Sequence, residues 1–215
     1  MTTQGTGSGE QDGTGAREYD EIARTVFAPI YPVIARQAIA QSGIESGLCI
    51  DAGCGPGHLG IAMAAISGLR VDALDSSPAM LACAEKNIRE AGMGERVRIV
   101  HGDVHALPYP DGTVDLVVSR GSIFFWEAPA RAFAEIRRVL RPGGRTFIGG
   151  GFGTPALKAA IFETMRGRDP SWDAKVGGRL GPERLAGLRG ALEEAGVPDA
   201  GFVQDESGFW IVMRR

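Results

Sequence analysis

Strand signals alternate with helix signals along most of this chain, and that alternation limits the fold more than any other feature. Short apolar, β-branched runs stand at LCIDA (48–52), RVDALD (70–75), RVRIVHG (96–102), TVDLVVS (113–119) and RTFIGG (145–150). Helical patterns follow at 59–66, 78–92, 128–140, 155–166 and 182–195, opened by Pro56-Gly57, Ser76-Ser77-Pro78 and Pro182 and closed by Gly92 and the turn RPGG (141–144). Strands joined through helical crossovers must lie parallel, with helices on both faces. The last two apolar runs, GFVQDE (201–206) and FWIVMRR (209–215), are separated only by Ser207-Gly208 and predict an antiparallel hairpin that adds one reversed strand. The expectation is a single α/β domain, doubly wound and mostly parallel.

A chain of 215 residues is long enough for one full core, and its 44% apolar and 23% charged residues fit a globular domain. Residues 1–16, MTTQGTGSGEQDGTGA, carry too little apolar surface to offset their ordering entropy and read as a disordered leader. From Arg17 the spacing of Ile22, Val26, Ile30, Val33, Ile34 and Ala38 predicts two short helices, interrupted by Pro29 and Pro32. These cap the domain over 17–46, and the domain itself is expected to run over 17–215. A net charge of -3 supplies no general attraction for nucleic acid or anionic membrane, so neither partner is expected. Three irregularly spaced cysteines make neither a disulfide framework nor a four-ligand zinc site. With no apolar run of about 18 residues and no basic apolar leader, a cytoplasmic protein is expected.

In a doubly wound sheet the ligand sits beyond the carboxyl ends of the strands, so the residues that follow each strand carry the functional information. After the first comes Asp51-Ala-Gly53-Cys-Gly55-Pro-Gly57, whose alternate glycines let backbone approach a ligand closely. Asp51 would repel the pyrophosphate that a dinucleotide loop cradles, and the spacing G-x-G-x-G differs from the dinucleotide fingerprint. The ligand should be cationic near this turn. Asp75 ends the second strand, where a carboxylate can accept from both hydroxyls of a ribose or simply cap a helix. Asp103, followed by apolar Val104, ends the third and can accept from an adenine amino group. Three acids ending three successive strands make a shared ligand site.

These segments, IDAGCGPG, ALDSSPAML, GDVHALPYPDGTVDLVVS and EIRRVLRPGG, resemble in order and spacing the class I S-adenosylmethionine (SAM)-dependent methyltransferases, especially the methyltransferase type 11 subfamily. The resemblance runs from about Tyr19 to Pro155 and implies a Rossmann-like seven-stranded sheet, SAM as cofactor and methyl transfer to a small molecule. It places Asp51, Gly53, Gly55 and Gly57 around the methionine part, Asp75 on the ribose, Ser76 and Met80 beside the adenine, and Asp103 and Val104 at its amino edge. Ser119 and Arg120 would lie near the sulfonium and the acceptor, and Tyr19 and Tyr31 resemble an aromatic that closes over the cofactor, a position that packing alone also explains.

Two departures stand out. Where relatives have a histidine-containing pair, this chain has Phe124-Phe125-Trp126, which removes that base and offers an aromatic acceptor pocket; the fifth strand ends in Gly149-Gly150-Gly151-Phe152-Gly153, bare backbone that suits a planar substrate or a hinge. Arg120 is assigned to orient the acceptor, with a substrate anion, the cofactor carboxylate or Glu127 as its counter-charge. Residues 167–181, GRDPSWDAKVGGRLG, lack clear periodicity and predict a loop that covers the pocket. His101 and His105 straddle a strand end rather than sharing a helix face, so no metal is expected. The rival classes are a SAM-binding sensor without turnover and a nicotinamide-dependent oxidoreductase.

Overall fold

The structure, a computed structural model, describes residues 7–215. Two helices lead, α1 (Gly7–Thr25) and α2 (Ile30–Ser42), and are followed by β1 (Ser46–Ala52), α3 (His58–Ile66), β2 (Gly68–Asp75), α4 (Pro78–Glu90) and β3 (Val97–His101). The second half contains β4 (Val114–Arg120), a single 3₁₀ turn (Ser122–Phe125), α5 (Pro129–Val139), β5 (Leu140–Gly151), α6 (Pro155–Arg168), α7 (Trp172–Leu180), α8 (Pro182–Glu194), β6 (Gly201–Asp205) and β7 (Gly208–Val212).

These strands form one seven-stranded sheet in the order β3-β2-β1-β4-β5-β7-β6. β7 alone runs against its neighbours, β5 and β6, so the expected doubly wound sheet with one reversed strand is the architecture observed. The chain leaves β1 toward β2 on one side and later returns to β4 on the other, which opens a crevice beyond the carboxyl ends of β1 and β4. Strand alternation divides the core between the two faces. Leu116 and Val118 pack with α1, α2, α3 and α4 residues such as Ile34, Met63 and Ala84, whereas Val117 packs with Phe133 and Ile136 of α5 and Leu188 and Leu192 of α8.

Three local features differ from the sequence expectations. α1 begins at Gly7, so the part of the expected leader over 7–16 is helical; residues 1–6 lie outside the described residues. Ala16, Asp20 and Ala23 form its buried stripe, continued by Phe27 in the turn that follows, and once that stripe nucleates the helix each further residue adds a hydrogen bond. The RPGG segment lies within β5, where the register with β4 jumps from Val114↔Leu140 to Leu116↔Arg145. Arg215, beyond the end of β7, holds that bulge: Gly143 donates to its carbonyl and its N–H donates to the carbonyl of Gly144. Residues 172–180 are helical rather than a loop, because Trp172 anchors α7 against Phe27 and Phe162. The bare stretch at the end of β5 borders the cavity at Gly150 and Gly151 and also permits close strand packing: a Cβ on Gly149 would collide with the Phe209 carbonyl and one on Gly151 would meet the Trp210 ring.

Candidate active site

The turn after β1 is built around backbone donors and one carboxylate. Gly53 and Cys54 both donate to the Leu74 carbonyl, at 2.8 and 2.9 Å, which ties the turn to the end of β2. Gly53 has φ +69 and passes so close to Ser122 that a Cβ would overlap its side chain, so glycine is required there on both counts. Asp75 accepts from Gly55 N at 2.8 Å through one oxygen and from Ser77 N at 2.9 Å through the other. It therefore straps the glycine turn to the start of α4, while each oxygen keeps a further lone pair for a ligand. Ser77, not Ser76, caps α4, accepting from Met80 N at 3.3 Å.

Asp51 is 1% exposed and its carboxylate accepts from Gly60 N at 2.9 Å. Burial pushes its pKa up to about 7; the Gly60 bond opposes the shift and the nearby Asp75 carboxylate adds to it. A buried carboxyl that resists ionisation gains most from a cationic ligand beside it. Asp103 is the converse: the backbone N–H of His105 comes first among the groups holding its pKa below the ordinary value. The His105 ring lies on the same oxygen, with Nδ1 at 2.6 Å, and its Nε2 lies 3.3 Å from Ala128 N. Both ring nitrogens are thus engaged, and His101 is turned to the Ser76 carbonyl at 3.2 Å.

These groups open into one cavity of about 780 Å³, within the range of small-molecule sites. Its cofactor-like end is bounded by Tyr19, Asp51, Gly53, Gly55, Asp75, Ser76, Met80, Asp103 and Val104, all expected from the sequence. Two expected residues stand behind the wall. Gly57 has its missing side chain against Ala84 of α4, and Ser119 is fully buried with its hydroxyl 2.6 Å from that of Ser122. Ser122 carries that network to the cavity, donating to the Ala52 carbonyl at 2.8 Å and accepting from Trp126 Nε1 at 3.2 Å.

Phe124, Phe125, Trp126 and Arg120 all border this cavity, and the three aromatics lean on different neighbours. Phe124 leans edge-on to Phe209, Trp126 is buried against Phe133, and Phe125 is 68% exposed with the Arg179 guanidinium 5.0 Å from its ring. The apolar chamber beside Arg120 also includes Phe27 and Phe152, which face its guanidinium, and Tyr31, Met165, Trp172 and Val176 of the same lining. Sequence reasoning missed Phe27, Phe152 and Met165 there, because their convergence depends on how α1 and α6 fold over the end of β5.

It also missed Asp20 and His58. His58 Nε2 lies 3.2 Å from Asp20 Oδ1, and its ring centroid is 5.3 Å from that of Tyr31. Burial lowers the His58 pKa against the pull of Asp20. Asn87 donates to Asp20 at 2.7 Å and to the Pro56 carbonyl at 3.0 Å, so a polar cluster pins α1 to the glycine turn. Only the position of His58 directly after Gly57 hinted at it.

Comparison with known proteins gives a consistent answer. A family model described as a methyltransferase domain matches residues 50–148. A crystal structure described as an S-adenosyl-L-methionine-dependent methyltransferase from Methanococcus maripaludis superposes with a TM-score of 0.93 at 42% identity, covering 100% of this chain and 97% of that one. An uncharacterized 37.1 kDa protein in a Streptomyces fradiae transposon is 38% identical over 132 residues, 60% of this chain and 37% of that protein. A ubiquinone/menaquinone biosynthesis C-methyltransferase from Marinomonas is 29% identical over 136 residues, 62% of this chain and 54% of its own length. The matched stretch thus spans about a third to a half of these curated relatives.

Proposed function

The chain belongs to the class I S-adenosylmethionine-dependent methyltransferases, and from that premise we propose that it methylates a small molecule by in-line displacement. The cofactor supplies an electrophilic methyl group on a sulfonium and leaves as a neutral thioether. The donor set suits it. Asp51, desolvated and reluctant to ionise alone, is placed for the cationic methionyl end, with the bare backbone of Gly53 and Gly55 beside it and Gly57 holding the turn. The free lone pairs of Asp75 accept from the ribose hydroxyls. Ser76, Met80 and Val104 enclose the adenine and Asp103 accepts from its amino group, while Tyr19 closes the cofactor end from α1. Ser119 acts from behind, by fixing Ser122.

Arg120 holds the acceptor, and Phe124, Phe125 and Trp126 add aromatic lining for it in the same cavity. Because the leaving group is neutral, catalysis rests on alignment, and no general base is assigned. His105 is unsuited to that role, since both of its ring nitrogens already have partners. α7 lies over the acceptor chamber as its cover. The three cysteines are free thiols, in keeping with a reducing cytoplasm; no helix among the described residues is long and apolar enough to cross a membrane, and no nucleic-acid partner is proposed.

The observation that carries this reading is the single cavity joining three strand-end acids to an aromatic chamber. Its test is calorimetry with S-adenosylhomocysteine, followed by assay of SAM turnover over a broad panel of small-molecule acceptors. Binding in a 1:1 ratio with acceptor-dependent release of S-adenosylhomocysteine is expected. Binding without turnover on any acceptor would favour a sensor, and absence of binding would refute the assignment.

A further inference from the structure

The two ends of the cavity carry opposite charge. Asp51, Asp75 and Asp103 lie at the ends of β1, β2 and β3, whereas the far wall presents Arg120, Arg168, Lys175 and Arg179 with one acid, Asp169. Asp169 is taken by Lys175 at 2.7 Å. Arg168 is exposed, where water screens it, and half-buried Arg179 stands over the exposed Phe125 ring at 5.0 Å; Arg120, also half-buried, is the cation held between the Phe27 and Phe152 rings.

The surroundings of Arg120 fix its guanidinium without neutralising it. Its Nε donates to the Gly151 carbonyl at 3.2 Å, and its Cζ lies 4.8 Å from the centre of the Phe27 ring and 5.4 Å from that of Phe152. Aromatic faces attract a guanidinium and hold its plane, but they cancel none of its charge. Among the described residues no carboxylate forms an ion pair with Arg120, and Glu127, the nearest acid in sequence beyond it, is exposed. A half-buried cation is costly until an anion joins it, and a guanidinium with its fork left open is shaped for a carboxylate or a similar planar or tetrahedral anion. The neighbouring surfaces of Phe27, Phe152, Trp172, Met165 and Val176 are apolar and largely aromatic.

Resting on the methyltransferase reading above, we propose that the methyl acceptor is a planar, largely apolar molecule bearing an anionic group, and that Arg120 binds that group. The charge arrangement is then self-consistent. The cationic cofactor faces the acidic end, and the acceptor anion faces the basic wall, which orients the acceptor with its apolar body between the two.

The test uses full-length protein saturated with S-adenosylhomocysteine and two fluorescent probes, 8-anilinonaphthalene-1-sulfonate and N-phenyl-1-naphthylamine, the same aromatic body without the sulfonate. Wild-type protein should bind the sulfonate probe 1:1 and about tenfold or more tighter than the neutral one, as expected for one charge-assisted pair. Benzoate should displace it and benzamide should not. Arg120→Gln should bind the two probes within about twofold of each other with unchanged affinity for S-adenosylhomocysteine, and Arg120→Lys should keep part of the preference. Equal binding of both probes by the wild type, no discrimination between benzoate and benzamide, or a preference that survives in Arg120→Gln would overturn the proposal. So would loss of S-adenosylhomocysteine affinity in Arg120→Gln with the probe preference intact, which would assign the guanidinium to the cofactor carboxylate. Failure of wild-type protein to bind S-adenosylhomocysteine at all would instead remove the methyltransferase premise. The benzoate and benzamide comparison needs only wild-type protein, so the proposal is decided even where a variant does not fold.

Discussion

Asp51→Asn should make the ligand-free protein more stable, and increasingly so as pH rises. The native carboxyl holds its proton up to about pH 7, whereas the unfolded chain releases it near the ordinary value of 3.8. Between those values the native state binds more protons than the unfolded state, so wild-type stability falls as pH rises and levels off above about pH 7. Linkage puts the penalty at about 2 kcal/mol at pH 5.5 and about 4 kcal/mol at pH 8.5. An asparagine can still accept from Gly60 N but has no charge to desolvate. Urea unfolding of both proteins at the two pH values isolates the effect, because any pH-independent cost of the substitution cancels. The variant should gain about 2 kcal/mol on the wild type between pH 5.5 and 8.5. Parallel pH dependences would refute the reasoning, since Asp51 would then ionise as freely in the fold as in the unfolded chain. The same burial makes wild-type affinity for a cationic ligand fall by up to about tenfold for each pH unit below 7, a dependence that the variant should lose.

Asp75→Ala removes the acceptor for Gly55 and Ser77 as well as the proposed ribose contacts, so calorimetry should show S-adenosylhomocysteine binding weakened by at least about 1.5 to 3 kcal/mol; unchanged affinity in a folded variant would place the ribose elsewhere. Gly53→Ala forces a side chain into Ser122 at a left-handed φ and should cost more than about 1 to 2 kcal/mol in denaturant unfolding; a neutral result would mean that the turn relaxes freely. Amide exchange in 168–181 should slow when S-adenosylhomocysteine and an anionic acceptor analogue are both present, and unaltered exchange would show that α7 is a fixed wall rather than a cover.

The parts of this molecule that were legible from the sequence are those set by local chemistry. Short apolar runs followed by Asp51, Asp75 and Asp103 located β1, β2 and β3 and the ligand end of the sheet, because a strand's carboxyl terminus is where the next residue must face the crevice. The aromatic chamber proposed for the acceptor was only half legible. Phe27, Phe152 and Trp172 are far apart in the chain and meet only after α1, β5 and α7 have packed, and no spacing rule encodes that meeting. α7 was hidden for a different reason: Gly177 and Gly178 weaken its intrinsic helix signal, and its stability comes from the tertiary contacts of Trp172. Of the glycines ending β5, Gly150 and Gly151 do border the cavity, while Gly149 serves a purpose no local pattern showed, admitting the backbone of β7.

The central claim is that one cavity holds S-adenosylmethionine across the three strand-end acids, and a crystal structure with S-adenosylhomocysteine bound tests it most directly. The ribose hydroxyls should lie on the Asp75 carboxylate, the adenine amino group at Asp103 and the amino-acid end over the turn from Gly53 to Gly55, with the thioether sulfur facing the chamber of Phe27, Phe152 and Arg120. Electron density for the nucleoside away from Asp75 and Asp103, or a thioether directed away from that chamber, would contradict it.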